Sequence, residues 1–387
     1  MDTTFDLILR NGIVLDPSEN FCGRRDIFVR HGLICPQPDD PRQAHALFEF
    51  DAAGKYVVPG LIDFHAHVYT GGSDLGVDPH TTLVPTGVTT VVDAGTAGTG
   101  QMDGLIAEIS AARMRIRAFV NVTPMGLATF RTHQKIDASV FDRDRLERIF
   151  RRYAQYVLGI KFMAGKEIND DLKALDATLE IAEELGVPVA VHTTNPPAPM
   201  AEIAARLRKG DILVHVLHGE GETILDGDGN IHKALREARE RGVIMDASNG
   251  RRHFNFDVAR AALEQGFPPD IISSDMTAYA IYIEPVVSLP HILSKYLNLG
   301  MPLMDVIRCA TTTPARLCRM EGKIGTLRVG ACADIAVLEL AERTVLFKET
   351  QARDSRTLTG SRCLLPQLTV IDGLPAYRSP DIRECGC

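Results

Sequence analysis

The middle of the chain alternates short apolar runs with longer amphipathic stretches. Apolar runs of this kind, bounded by turn residues, are typical of strands buried on both faces of a sheet. The runs are Leu61–Phe64, Thr89–Val92, Ile116–Val120, Val157–Phe162, Val187–Val191, Ile212–Val216, Val243–Asp246 and Ile271–Ser273. The stretches with helical spacing are Met102–Arg113, Arg143–Tyr153, Asp171–Leu185, Met200–Leu207, Ile231–Arg241 and Asp257–Glu264. Eight strands with intervening helices predict an α/β fold, a parallel sheet closed into a (β/α)8 TIM barrel over residues 58–320.

An open doubly wound sheet is the alternative architecture for the same alternation. That fold has a glycine-rich first turn of the Gly-x-Gly-x-x-Gly or Walker type, which wraps a phosphate. The glycine-bearing loops of this chain, Pro85–Gly87 and Gly95–Gly100, lack that spacing, and histidines follow the first predicted strand. The sequence therefore favours the barrel.

Both ends of the chain have a different pattern, in which short alternating strands are separated by turns. At the start, Phe5–Arg10 alternates, Asn11-Gly12 predicts a hairpin turn, and Ile13–Leu15 follows. Near the end, Ala333–Leu338 and Gln367–Gly373 repeat this style. Because neither end can make a good sandwich alone, we expect residues 1–57 and 321–380 to form one small β-sandwich domain, followed by a tail at 381–387.

The composition is that of an ordinary globular protein. The 387 residues carry a net charge of −8, and the sequence pI is about 5.9. This mild acidity gives no reason to expect a nucleic acid or an anionic membrane surface as a partner. No apolar run reaches the length of a membrane span, and the polar start Met1–Thr4 lacks a secretion signal. We therefore expect a cytoplasmic protein whose partner is a small molecule, and a homo-oligomer is compatible with these features.

The eight cysteines are scattered along the chain. In a sequence of this length they indicate reduced thiols in a cytoplasm rather than a disulfide framework. Two of them belong to the terminal run Cys385-Gly386-Cys387. A frayed terminus with two free thiols and a metal-chelating or redox tail are both open interpretations of that run.

Histidines, a lysine and an aspartate lie at the predicted strand ends. His65 and His67 end the first strand, and positions i and i+2 of a strand share one face. Two imidazoles that converge in this way supply half of a metal site. The other strand-end residues of this kind are Lys161, His192, His215 and Asp275. In a barrel the active-site groups lie at the carboxyl ends of the strands, so these side chains are expected to converge.

Each of these residues also has an ordinary structural interpretation. Lys161 could reach the barrel rim, His192 could be a hydrogen-bonded core histidine, and Asp275 could cap a helix. Taken together, however, they fall where the barrel rule predicts functional groups. The sequence therefore predicts a metal site at the strand ends.

This arrangement resembles the amidohydrolase superfamily of metal-dependent hydrolases over nearly the whole chain. Within the superfamily it is similar to the dihydroorotase-like or deacetylase-like branch, which is associated with hydrolysis of acyl esters of small α-hydroxy acids. The segments that resemble the superfamily are Val58–Asp63, Ala310–Arg316, Gly322–Leu327 and Gly330–Asp334. Those that resemble the branch are Gly159–Lys161, Ser273–Met276, Leu289–Pro290, Ser294–Leu297 and Gly300–Pro302.

The resemblance implies a centre with two Zn²⁺ ions, for which Mn²⁺ or Fe²⁺ could substitute. It implies that His65, His67 and Asp275 bind one ion and that His192 and His215 bind the other. A further implied ligand is Lys161, carboxylated by carbon dioxide and bridging both ions. The implied reaction is attack by a metal-bridging hydroxide, with Asp275 as the catalytic residue that moves the proton.

The candidate substrate-binding residues follow the later strands. They are His218, Asn249, Arg251, Arg252 and Tyr279. Related sequences tend to have a histidine where this chain has Asn249, and small residues where it has the arginines. The arginines favour a carboxylate- or phosphate-bearing substrate, although solvated loop charge is an equally open interpretation.

The leading hypothesis is a binuclear metal-dependent hydrolase that cleaves an ester or amide bond of a small carboxylate-bearing substrate. A cyclic amidase of the dihydroorotase or hydantoinase type would use the same residues. A metal-binding protein without catalysis is the alternative from another class. No Gly-x-Ser-x-Gly segment supports a serine hydrolase.

Overall fold

The computed structural model describes residues 4–132 and 134–385 of the chain. The first part of the chain is mostly strand and turn, as the alternating pattern predicts, with one short 3-10 helix at Pro41–Gln43. Its strands are β1 (Thr4–Arg10), β2 (Ile13–Asp16), β3 (Phe21–Arg24), β4 (Ile27–Arg30), β5 (Leu33–Cys35), β6 (His45–Asp51) and β7 (Tyr56–Pro59).

The central part of the chain is a parallel sheet surrounded by helices. The strands of the sheet are β8 (Leu61–Ala66), β9 (Val88–Gly98), β10 (Arg115–Asn121), β11 (Val157–Met163), β12 (Val189–His192), β13 (Ile212–Val214), β14 (Ile244–Ser248) and β15 (Ile271–Ser273). The helices are α1 (Pro79–Thr82), α2 (Met102–Ala111), α3 (Arg143–Arg152), α4 (Lys173–Leu185), α5 (Met200–Arg206), α6 (Lys233–Arg241), α7 (Phe256–Glu264), α8 (Leu289–Asn298), α9 (Leu303–Cys309) and α10 (Thr312–Leu317).

Each strand of this sheet pairs with its sequence neighbours, in the order β8 to β15. Hydrogen bonds between the first and last strands then close the ring. Asp275 N donates to His65 O over 2.7 Å, and His67 N donates to Met276 O over 2.9 Å. The side chain of Asp63 accepts from Ser274 N over 3.0 Å. The fold is therefore the predicted (β/α)8 barrel with a β-sandwich domain.

The sandwich domain uses both ends of the chain. The strands after the barrel are β16 (Ile335–Lys348), β17 (Thr357–Ile371), β18 (Leu374–Arg378) and β19 (Arg383–Glu384). One sheet has the order β19-β6-β1-β4-β5, and the other has the order β18-β17-β16-β7-β2-β3. Apolar side chains of both ends, such as Leu7, Val14 and Val337, share one buried cluster. Strands far apart in sequence thus complete each other's sheets.

The hairpin predicted at Asn11-Gly12 is wrong. β1 pairs with β4 and β6, whereas β2 pairs with β3 and β7 in the other sheet. The turn at Asn11 therefore carries the chain from one sheet to the other. Leu7 of β1 and Val14 of β2 still lie in the same buried cluster, because the two sheets pack face to face. Local turn chemistry cannot distinguish that crossing from a hairpin.

The remaining sequence expectations concern the termini, the cysteines and membrane spans. Cys385 N donates to Glu49 O over 2.9 Å, while Gly386 and Cys387 of the terminal run lie outside the described residues. Every cysteine in the described part of the chain is a free thiol. In the same part, no helix has both the length and the apolar character that crossing a membrane requires.

The buried Asp16 joins the two ends of the chain. Its carboxylate accepts hydrogen bonds from Leu327 N over 2.7 Å and from Ser18 N over 2.9 Å. We expect Asp16→Ala to lower the free energy of unfolding by about 1–3 kcal/mol, because the Leu327 N–H loses its partner in a dry environment. Urea unfolding monitored by circular dichroism measures this. Exposed Asp39→Ala is the control, and equal midpoints for both variants would contradict the prediction.

Candidate metal centre

His65 and His67 extend from the carboxyl end of β8 into a buried space. They are 3% and 6% exposed, and their ring centroids lie 5.7 Å apart. The alternation of a strand places both rings on the inner face of the barrel. The structure therefore places both imidazoles on one face of the strand, as predicted.

Hydrogen bonds fix the orientation of both rings. His67 Nδ1 lies 2.8 Å from Thr96 Oγ1, and this hydroxyl donates its proton to Asp93 Oδ2 over 2.7 Å. Since the hydroxyl proton is committed to Asp93, Thr96 accepts from His67 Nδ1–H. His65 Nδ1 lies 3.3 Å from Asp246 Oδ2. In both rings Nε2 is then the nitrogen that presents its lone pair to the interior.

A second group of imidazoles comes from β12, β13 and the segment after β14. His192 and His215 have ring centroids 4.6 Å apart, and His253 stacks on His215 with centroids 4.0 Å apart. His215 Nδ1 lies 2.9 Å from the carbonyl oxygen of Ser248, which can only accept. The proton of His215 is therefore on Nδ1, and its Nε2 is unprotonated.

Lys161 and Asp275 lie between the two groups of histidines. Lys161 Nζ is 3.5 Å from His65 Nε2, and Asp275 Oδ1 is 3.1 Å from His67 Nε2. Gly95 makes room for the lysine, since a Cβ at this position would lie 2.4 Å from Lys161 Cβ. Asp275 and His215 both have left-handed backbones, with φ of 51° and 66°. Such backbones are uncommon for residues with a side chain and cluster at functional sites.

Burial dominates the electrostatics of this space. It holds the pKa values of His65, His192 and His215 well below the usual range, and the nearby Lys161 ammonium and other imidazoles add to this. Burial also lowers the pKa of Lys161 to about 8, although Asp275 and other carboxylates oppose it. His65, His192 and His215 are thus neutral near pH 7, which is the state in which imidazole binds metals.

The donor set fits divalent metal ions. Ligand atoms of His65, His215 and Asp275 lie within 4.8 Å of one another, and so do those of His192, His215 and His253. Neutral imidazole nitrogens and carboxylate oxygens are the ligands that zinc takes at catalytic sites. A buried lysine among them is unusual and carries no ligand function as an ammonium.

These residues line a cavity of about 150 Å³, here called the inner cavity. Arg251 and Arg252 form part of its wall. It adjoins a larger outer cavity of about 710 Å³, and both are lined by Leu127, Met163, His192, Arg252 and His253. The outer wall is mostly apolar and includes Met125, Ile136, Val140 and Ile168. A small molecule can therefore reach the imidazoles through the outer cavity.

Three predicted substrate residues lie away from both cavities. His218, Asn249 and Tyr279 are not among the described residues that line either one. The Asn249 side chain accepts from Lys295 Nζ over 2.6 Å, and the Tyr279 hydroxyl donates to Asp74 over 3.0 Å. His218 is fully buried and accepts at Nδ1 from Glu220 N over 3.3 Å. Their assignment to substrate stays a prediction.

The sequence prediction omits His253. Its Nε2 is 3.5 Å from Asp275 Oδ2, and its Nδ1 is 2.7 Å from Thr194 Oγ1. It lies beyond the end of β14, so the strand-end rule does not point to it. The sequence signal that could have identified His253 is its position directly after the two arginines of the same loop. The prediction also omits Asp246, which lies 3.3 Å from His65 Nδ1, and Asp93, which reaches His67 through the Thr96 hydroxyl.

The chain is similar to known proteins in both sequence and fold. The model of the Amidohydrolase family matches residues 56–373. The chain is 32% identical over 326 residues to a deacetylase of Agrobacterium fabrum, covering 83% of this chain and 79% of the relative. A deacetylase of Brucella anthropi is 30% identical over 325 residues, covering 83% and 80%. A solved dihydroorotase structure has a TM-score of 0.84 at 28% identity and covers 96% of this chain and 98% of its own.

The orientation of His67 by Thr96 has a measurable consequence. Thr96→Val removes the acceptor for His67 Nδ1–H and leaves the shape of the residue 96 side chain nearly unchanged. We expect divalent-metal affinity to fall by about 10–100-fold, as is usual when such a partner is lost. Competition with a chromogenic chelator measures it. Thr90→Val on the same strand is the control, because the Thr90 hydroxyl has no partner among the described residues. Equal affinities would show that Thr96 does not orient the ligand.

Proposed function

We propose that this chain, which belongs to the amidohydrolase family and is a hydrolase, cleaves an ester or amide bond of a small carboxylate-bearing substrate with two divalent metal ions. The observation that carries the proposal is the convergence of neutral imidazoles, a buried lysine and an aspartate in the inner cavity. Relatives named deacetylases support an acyl group as the part released.

In this proposal His65, His67 and Asp275 hold one ion, and His192 and His215 hold the other. Zinc suits these donors best, with manganese or iron as alternatives. Ions bound there would lower the pKa of water towards neutrality and polarise a substrate carbonyl. Hydrogen bonds at Nδ1 would keep the imidazoles of His65, His67 and His215 oriented for coordination.

We further propose that Lys161 is carboxylated and reaches both ions. Its lowered pKa leaves part of the amine neutral and nucleophilic at physiological pH, which is what reaction with carbon dioxide needs. The carbamate would be an anion with two oxygens, whereas the free ammonium cannot act as a ligand. The closely placed Gly95 supports the proposal because it allows the lysine to lie between the histidine groups.

Asp275 is the proposed proton carrier. Its Oδ1 would accept the proton of the attacking water and return it to the leaving group. Its other oxygen, Oδ2, lies 3.5 Å from His253 Nε2, so a hydrogen bond from His253 would keep the carboxylate oriented during the transfer. Burial keeps bulk water away from both groups and strengthens their interaction.

A cyclic amidase is the second candidate, and the dihydroorotase structure favours it. That protein shares the fold with a TM-score of 0.84, at 28% identity. A ring amide would use the same residues for attack and proton transfer. The two candidates differ in what leaves: an acyl ester or amide releases two molecules, whereas a cyclic amide opens to one.

The test combines metal analysis with hydrolysis assays. Protein grown with ample zinc should contain close to two ions per chain, because the predicted ligands converge on one cavity. It should turn over at least one of three probe classes: acylated hydroxy acids, N-acyl amino acids or cyclic ureides. Asp275→Asn should retain metal and lower kcat by about 10²–10⁴-fold. Less than one ion per chain, no turnover of any class, or wild-type turnover by Asp275→Asn would each refute the proposal.

The two arginines of the inner cavity differ in their partners. Arg252 makes a two-point ion pair with Glu220, with distances of 3.0 and 2.6 Å. Arg251 instead donates to the Gln351 side-chain amide oxygen over 3.2 Å and lies over the Tyr279 ring. In the described part of the chain no carboxylate pairs with Arg251, so it is the better candidate to bind the carboxylate of a substrate.

We therefore expect Arg251→Met to raise KM for an anionic substrate by about 10–100-fold, the range of one or two charge-assisted hydrogen bonds, with a smaller change in kcat. Steady-state kinetics on the acid and its neutral methyl ester measure the effect. Arg252→Met is the matched control and should discriminate between the two substrates as wild type does. If both variants behave like wild type, the arginines are solvated loop charges.

A further inference from the structure

Lys295 is a second fully buried lysine that the proposed reaction does not use. It lies on α8 and is 0% exposed. Its ammonium donates to Asn249 Oδ1 over 2.6 Å and to Lys348 O over 3.2 Å, and lies 4.2 Å from the Phe254 ring centroid. Among the described residues, no carboxylate forms an ion pair with it. All of its close partners are therefore neutral.

A lysine in this environment is unfavourable for stability. Burial lowers its pKa to about 7, and the more distant Glu284 and Glu349 only partly oppose this shift. Replacing the lysine by an apolar side chain would remove the cost of burying a charge, although Asn249 Oδ1 would lose its donor. Packing alone therefore does not account for a lysine at this position. Its two hydrogen bonds, to Asn249 Oδ1 and to Lys348 O, indicate its role.

The acceptor, Asn249, is the first residue of the segment between β14 and α7, here called loop 249–255. Its carbonyl oxygen accepts from His253 N over 3.2 Å, and its side-chain amide donates to Gly250 O over 2.9 Å. Its backbone N–H donates to Ser273 O. The backbone of Asn249 thus contacts the middle of the loop, while its side chain, which Lys295 holds, contacts the start of the loop at Gly250 O.

The loop lies directly against the inner cavity. Gly250 has φ of +48°, and a Cβ there would lie 2.3 Å from Asp275 Oδ2 and 2.4 Å from His253 Cδ2. The backbone of the loop therefore approaches the proposed proton carrier closely. A small displacement of this loop would move His253 relative to Asp275 and Arg251 relative to the cavity.

The tip of the β16–β17 hairpin, residues 349–356, holds the other side of the loop. Gln351 N donates to Arg251 O over 2.7 Å, and Glu349 Oε2 accepts from Phe256 N over 3.1 Å. The carbonyl of Lys348, which ends β16, is the second acceptor of Lys295. The lysine thus joins three parts of the chain: α8, the sandwich hairpin and the loop at the cavity.

We propose that Lys295 is a positioning residue: its ammonium holds the Asn249 side chain, and with it loop 249–255, against the inner cavity. The proposal deepens the proposed function, on which it rests for the identity of the reaction. Lys295 touches no reacting atom, and it acts on catalysis only through the loop.

The first test measures the loop itself. Lys295→Met keeps an unbranched apolar side chain, shorter by the terminal nitrogen, and removes every donor. We expect amide hydrogen exchange in residues 249–255 to accelerate by about tenfold or more, while the barrel strands stay protected. The melting temperature should change by only a few degrees, since removal of a buried charge offsets the loss of the donor to Asn249 Oδ1. A variant that fails to fold or melts well below wild type would make Lys295 a structural residue and overturn the proposal.

Asn298→Ala is the matched control on the same helix. Asn298 joins α8 to β17, donating to Arg362 O over 2.8 Å and accepting from Ser361 N over 2.9 Å. Its loss should lower the melting temperature without accelerating exchange in loop 249–255. Combining Lys295→Met with Asn249→Ala should accelerate exchange no more than Asn249→Ala alone, because the lysine acts through that side chain. Additive effects would overturn the proposal.

The second test is kinetic. With a substrate identified by the hydrolysis assays, Lys295→Met should lower kcat/KM by about tenfold or more at unchanged metal content. Fast loop exchange with wild-type kinetics would show that the loop position does not matter for the reaction. Exchange is measured without substrate, so a chain inactive on every probe would refute the proposed function and leave the exchange result to decide the positioning role.

Discussion

The hydrogen bonds that join β8 to β15 close the barrel, and they also set the distance between the first and the last of the predicted metal-binding residues. His65 O accepts from Asp275 N, so the residue that starts the centre and the one that ends it are in direct backbone contact. At the same junction, Ser274 N donates a hydrogen bond to the buried Asp63 carboxylate. Were the sheet open, Asp275 would lie a full sheet width from His67 rather than 3.1 Å from its Nε2.

Closure of the barrel also brings several ionisable side chains together, and hydrogen bonds from the core decide where their protons lie. Several imidazoles and one lysine face each other in a small, buried space, where a positive charge is unfavourable. Carboxylates and carbonyls around the rings accept the Nδ1 protons and leave Nε2 without one, as Asp246 and Ser248 illustrate. The centre therefore suits positive ions, because the imidazoles of His65, His192 and His215 stay unprotonated near pH 7 and share the inner cavity with the Asp275 carboxylate.

The sandwich domain also contacts the part of the barrel that surrounds this centre. The tip of its β16–β17 hairpin contacts loop 249–255, which carries Arg251 and His253. The sandwich domain thus supports, from outside, a loop that lines the inner cavity.

The sequence by itself determined the barrel, the sandwich built from both termini and the strand-end residues that converge. Period-two and helical patterns report burial directly, and the barrel rule then fixes which end of each strand bears functional side chains. Their roles as ligands stay predictions. The tertiary structure alone decided the sheet crossing at Asn11-Gly12, the place of His253 in the centre and the tie between Lys295 and Asn249. These depend on contacts between segments far apart in sequence, and no local pattern records which distant side chain will complete a hydrogen bond or share a face.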